Sequence, residues 1–205
     1  GLLSVTHAGF FGIGAYTTAI LLRNTDITFF PALITAAIFT SIISVLIGVV
    51  LSRFKDDYYV IASLGFNVIV FTVLLSWQEV TRGALGIPGI PRPDILGYTF
   101  LSNESFLLLT LVFLALIFFG AWYIGRSSLG RVLKAIREDE TAVQVFGYDT
   151  FYFKLFIFVI GAAMASIAGS LYASYISFIN PGVFNWPASV FFLVFVILGG
   201  LGRNK

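Results

Sequence analysis

The chain contains no cysteine, one histidine (His7) and one methionine, and only 11% of its 205 residues are charged. Without cysteine there is no disulfide framework, no thiolate metal site and no cysteine nucleophile. One histidine is too few for a histidine-rich metal centre. The scarcity of charge matters more. Soluble domains carry about 25% charged and about 45–50% apolar residues, whereas here 59% are hydrophobic and the mean hydropathy is +0.98. A water-soluble core of this size cannot hide so many Phe, Leu and Ile side chains, so the composition specifies an integral membrane protein. A net charge of +2 is too small to point to nucleic acid. The phosphate cradle G-x-x-x-x-G-K-[ST] is also missing, and "GRSSLGR" at 125–131 has neither its Lys nor its spacing. ATP hydrolysis by this chain itself is therefore not expected, and no cofactor is expected to bind to it.

What is present is a series of apolar runs near the roughly 20 residues a helix needs to cross a bilayer core. They lie at 28–51, 58–77, 105–124 and 155–179, with a shorter one at 188–202 and a loose, glycine-containing one at 2–22. Barrel strands would alternate apolar and polar residues, and these runs do not. The expected fold class is all-α: one polytopic transmembrane helical bundle over 1–205 with broken or re-entrant segments. Gly1 stands inside an apolar run and the chain stops just after 188–202, which reads as an internal fragment of a longer protein.

Basic residues orient the spans. If 52–57 is cytoplasmic, nine Lys and Arg fall inside (Arg53, Lys55, Arg126, Arg131, Lys134, Arg137, Lys154, Arg203, Lys205) and three outside (Arg23, Arg82, Arg92), the asymmetry of a positive interior. Tyr58, Tyr59, Trp77, Trp122, Tyr123 and Trp186 sit near span ends, as in an interfacial aromatic belt.

The inner stretch 125–154 is far longer than the roughly 2–8 residues that usually join helices. Within it Val132, Leu133, Ile136, Val143 and Phe146 recur near helical spacing while Arg131, Lys134, Arg137 and Glu138 take other faces, which predicts one or two short amphipathic helices. Glu138, Asp139 and Glu140 suit the start of the second, where the macrodipole favours acids, and Gly147 suits its left-handed end. Such a unit docks into a partner's groove or lies on lipid, and the acidic cluster weighs against anionic lipid. A plain solvated connector is the bland alternative.

Four stretches in order, "GLLSVTHAGFFGIGAYT", "TRGALGIPGIP", "LGRVLKAIREDETAVQVFGYDTFYFKL" and "GGLG", resemble the M-type permease subunits of branched-chain amino acid ABC importers. The resemblance implies a permease fragment in the plasma (inner) membrane of a prokaryote. It would work with a second related permease, two cytoplasmic ATPase subunits that use ATP and Mg, and an external substrate-binding protein. It implies that 125–154 is the cytoplasmic coupling loop, with Ala135, Ile136, Arg137, Glu138, Ala142 and Gly147 as the ATPase-coupling surface. The substrates implied are branched-chain or other small amino acids, with urea and short amides as the alternative within the family. An ATP-independent carrier or channel is the alternative outside it, and the absence of buried charge pairs in the spans weighs against a proton-coupled one.

The remaining signals concern the path through the membrane. "TRGALGIPGIPRPDILGY" at 81–98 holds too many prolines and glycines for a helix, yet Leu85, Ile87, Ile90 and Ile95 make it apolar enough to tuck back among the helices. Asn67, with Ser63 one turn before it, is polar at mid-span and faces other helices or a cavity. Gly161, Ala165 and Gly169 form a small-residue face suited to close packing, for which the partner permease is one candidate. In 2–22 the glycines predict a bent or broken segment beside the path, or a closely packed one. Ser4, His7, Gly12, Gly14, Asn67, Thr81, Gly83 and Gly86 are the residues assigned to the path.

Overall fold

The computed structural model describes residues 6–54, 56–95, 98–100 and 102–198. Along it run α1 (His7–Asn24), α2 (Phe29–Leu51), α3 (Asp56–Ser76), the single turn α4 (Gln78–Thr81), β1 (Ile87–Pro88), β2 (Asp94–Ile95) and β3 (Tyr98–Thr99). Then follow α5 (Asn103–Arg126), α6 (Ser128–Glu138), α7 (Glu140–Val145), α8 (Thr150–Ile176), β4 (Phe178–Ile179) and α9 (Trp186–Leu198). The polytopic all-α bundle predicted from the apolar runs is what forms, and the strands are two-residue bridges.

Four of the described segments are long and apolar enough to cross a membrane: α2, Tyr58–Ser76 of α3, α5 and α8, with mean hydropathies from 2.0 to 2.5. Their apolar side chains point outward as well as inward, as lipid permits. On α2, Ile34, Ile38, Ile42 and Leu46 stand four residues apart and each is more than half exposed. On α5 only 6% of the apolar window is buried.

Helix α1 is built differently. It is not among the four, yet it is unbroken for 18 residues, about 27 Å, and from Ala8 to Ala19 nearly every residue is buried against α8, α2 and α3. The expected break in 2–22 is therefore absent from the part described, and close packing explains the glycines. A methyl added at Gly14 would lie 2.4 Å from the carbonyl oxygen of Ser166, and one added at Gly169 would lie 2.0 Å from that of Phe11. Backbones that approach so closely admit only hydrogen at these two positions. Hydroxyls then bind the helices together. Thr18 Oγ1 donates to Ser170 Oγ at 2.7 Å, and Thr40 Oγ1 of α2 donates to Ser166 Oγ at 3.1 Å. The face of Gly161, Ala165 and Gly169 is thus turned towards α1 of the same chain, not kept for a partner permease. Close intrachain packing uses the same small residues that a dimer would.

The two ends of the bundle are distinct. At one end the irregular stretch after α4 returns to the segment after α8. β1 pairs antiparallel with β4, and Gly89 N and Ile90 N both donate to Ser177 O. Ile87 and Ile90 are buried there as expected, whereas Leu85 is 83% exposed. Gly86, at φ +71°, lies so close to Ile179 O that a methyl would be 2.2 Å from it. At the other end lie α6 and α7.

Candidate functional site

The hairpin α6–α7 follows directly from its sequence. Ser127 caps α6 by accepting from Gly130 N at 3.3 Å, and Asp139 caps α7 by accepting from Ala142 N at 3.0 Å. Asp139, at φ −152° and ψ 103°, breaks one helix and starts the next. Gly147 takes φ +85° just past α7, as its type predicts. Glu138 is a correction. It closes α6 instead of opening α7, because Asp139 takes the cap and leaves Glu140 as the first helical acid.

Of the residues assigned to coupling, Ala135, Arg137, Glu138 and Gly147 are exposed, while Ile136 and Ala142 are half-buried. Three further residues stand out beside them by their exposure. Val145, Phe146 and Tyr148 are 82%, 80% and 50% exposed and make an apolar knob at the end of α7, before α8 begins. The spacing groups Phe146 with Val143, but of the two only Val143 is buried. The helix ends at Val145, so the 3.6-residue period no longer decides where Phe146 points.

Above the hairpin opens a cavity of about 510 Å³, lined by the ends of five helices and by α6. His7 and Phe10 of α1, Leu51 of α2, Tyr59 of α3, Ile124 of α5 and Gly161 of α8 meet there with Leu133, Lys134 and Arg137 of α6. The alternation of spans inferred from the charges requires that these ends share one side, and they do. Tyr59 departs from the aromatic belt: it is 5% exposed and walls this cavity. Trp122 fits the belt, exposed near the end of α5 with the Arg126 guanidinium 4.2 Å from its ring centre.

The residues assigned to the path do not converge. Ser4 lies outside the described residues. Of the others only His7, exposed at the start of α1, reaches the large cavity. Gly12 sits on Phe184, whose Cγ would be 3.0 Å from an added methyl, and Gly14 sits on α8. Asn67 is fully buried and its Nδ2 donates to Ser189 Oγ of α9, so it joins α3 to α9. Thr81 Oγ1 bonds the carbonyls of Leu74 and Trp77, each at 2.7 Å, while Gly83 and Gly86 belong to the turn next to the β1–β4 pairing. Nothing in the pattern singles out Phe184, which follows Asn-Pro-Gly-Val: it is 1% exposed and packs on Phe11, Tyr16 and Tyr172. At the same end Arg82 holds φ +60°, strained for a non-glycine residue, and among the described residues it makes no ion pair with Glu79, three positions before it.

The family model described as "Branched-chain amino acid transport system / permease component" matches residues 1–205. The chain belongs to this permease family. It is 35% identical to the high-affinity branched-chain amino acid transport permease protein LivM of Salmonella typhimurium, over all of this chain and 53% of that one. The Escherichia coli LivM gives the same identity and coverage. A probable LivM of Methanocaldococcus jannaschii is 32% identical over all of this chain and 64% of its own. The permease chain spans about half the length of the first two relatives it matches, and no solved structure matches it. Together with four membrane-capable helices, the family makes it a multi-pass membrane protein.

Proposed function

We propose that this chain is part of the transmembrane permease subunit of an ATP-binding cassette importer that moves branched-chain or other small amino acids inward across a prokaryotic inner membrane. Two cytoplasmic ATPase subunits, which use ATP and Mg, would supply the energy. A second related permease would complete the path, and an external binding protein would deliver substrate. The observation that carries this reading is the hairpin: a capped, amphipathic unit at one end of the bundle that leaves Val145, Phe146 and Tyr148 exposed. Apolar side chains exposed at the tip of an otherwise charged loop suit a partner's groove. The cavity above α6 is the place where movement of the hairpin would alter access to the spans.

Affinity purification of the full-length permease from its native membrane tests this. ATPase subunits should come with it, and uptake into vesicles should stop without ATP. Uptake by the permease alone in ATPase-free vesicles would overturn the proposal and favour a carrier or channel.

A further inference from the structure

The hairpin is tied to α8 by a polar clasp. Glu140 opens α7, and its Oε1 accepts a hydrogen bond from Lys154 Nζ at 2.6 Å and a second from Thr150 Oγ1 at 2.9 Å. Thr150 Oγ1 accepts in turn from Gln144 Nε2 at 2.9 Å. Glu140 and Gln144 are four residues apart on one face of α7, and Thr150 and Lys154 are four apart on one face of α8, so the two faces meet.

Burial gives the clasp its character. Thr150 is 3% exposed, and the side chains of Lys154 and Glu140 are 17% and 35% exposed. A partly wetted ion pair of this kind adds little to overall stability, but its geometry is restrictive because one carboxylate oxygen holds two donors. The covalent link it bypasses, residues 146–149, is exposed and tied only locally: Gly147 N donates to Gln144 O, Tyr148 N to Val143 O, and Asp149 caps α8 by accepting from Phe151 N. Beyond the clasp, α8 runs without a break from Thr150 to Ile176. Its Gly169 and Ser170 are the residues locked on α1, and Lys154 itself walls the large cavity.

We infer that Glu140 and Lys154 are positioning residues that join the α6–α7 hairpin and α8 into one mechanical unit, so that a displacement imposed on the hairpin reaches α8 and, through it, α1. This rests on the docking of an ATPase subunit proposed above. Without the clasp the hairpin still binds its partner, but only the exposed link 146–149 and the packing of α6 then join it to α8, and the spans follow less closely.

The test uses the complete importer in proteoliposomes, with full-length permease carrying Glu140→Ala, Lys154→Met, or the exchange Glu140→Lys with Lys154→Glu. Two quantities are read: leucine moved per ATP hydrolysed, and ATPase subunits retained per permease. The single variants should keep their ATPase subunits and lose about 2- to 30-fold in leucine moved per ATP, the range for residues that carry coupling between sites. The exchanged pair should recover most of that loss. A purely structural role would lower the amount of assembled importer and leave the ratio unchanged. Should the single variants fail to assemble, the shape-conserving Thr150→Val and Gln144→Leu read the same ratio. Wild-type ratios in variants with bound ATPase, or no recovery in the exchanged pair, would overturn the clasp. Absence of ATPase subunits from the wild-type complex would instead overturn the docking on which it rests.

Discussion

Where α1 meets α8, a methyl added at Gly14 or Gly169 would fall 2.4 Å or 2.0 Å from backbone oxygen; at Gly147, past the tip of α7, it would meet nothing within 4 Å. Both regions use glycine, for opposite reasons. In the seam glycine removes a side chain so that two backbones can touch. At the tip it supplies a backbone angle so that the chain can turn and leave Val145, Phe146 and Tyr148 outside. The seam closes between helices of this chain, whereas the end of α7 carries apolar surface that the described residues leave uncovered. Close approach in one and open surface in the other are what the proposed transmission of movement would use.

The comparison can be broken at four points of decreasing effect. Gly169→Leu drives a side chain into the backbone of α1 and should cost about 3 kcal/mol or more, read as loss of monodisperse protein on heating in detergent. Gly65→Ala, with nothing within 4 Å, should instead stabilise by about 0.5–1 kcal/mol. If both variants melt alike, the seam is not tight. Phe146→Asp should leave the melting temperature unchanged and reduce co-purifying ATPase by about tenfold; an unchanged yield of ATPase would remove the tip from the docking surface. Asp139→Ala removes the cap of α7 at a cost of about 1 kcal/mol, which should speed amide exchange across 140–145 by about fivefold and leave α8 untouched. Thr18→Val deletes the hydroxyl bond to Ser170 and should cost about 0.6 kcal/mol, the average for interhelical bonds in membranes. A much larger loss would mean that hydroxyls, and not close approach, hold the seam.

How far each region can be read from sequence follows from the range of its interactions. The spans are legible because uninterrupted apolar runs have one solution in lipid, and α2 forms at 29–51 where the run at 28–51 predicts it. The hairpin is legible because caps are local: Asp139 bonds a residue three positions away. The seam is legible only by half. The glycines of α1 announce either a break or a close approach, and the choice depends on Ser166 and Gly169, about 150 residues further on. Thr81, Gly83 and Gly86 look like path residues because turns and pores both favour small and hydroxylated side chains. What the fold adds is that Thr81 bonds Leu74 and Trp77 and Gly86 lies against Ile179, ties that hold this end of the bundle together. Phe184 and the Glu140–Lys154 pair carry no periodic signal, since each is fixed by partners that only the fold brings near.

The most direct test of a docking tip beside a sealed seam exploits the absence of cysteine from this chain. Phe146→Cys at the tip and Leu116→Cys, 63% exposed on α5, are placed one at a time in full-length permease otherwise free of cysteine, and each is treated with a short thiol-to-amine cross-linker in native membranes. The expected result is a cross-link to an ATPase subunit from position 146 and none from position 116. Transport that remains ATP-driven with no cross-link to the ATPase from position 146 would contradict it.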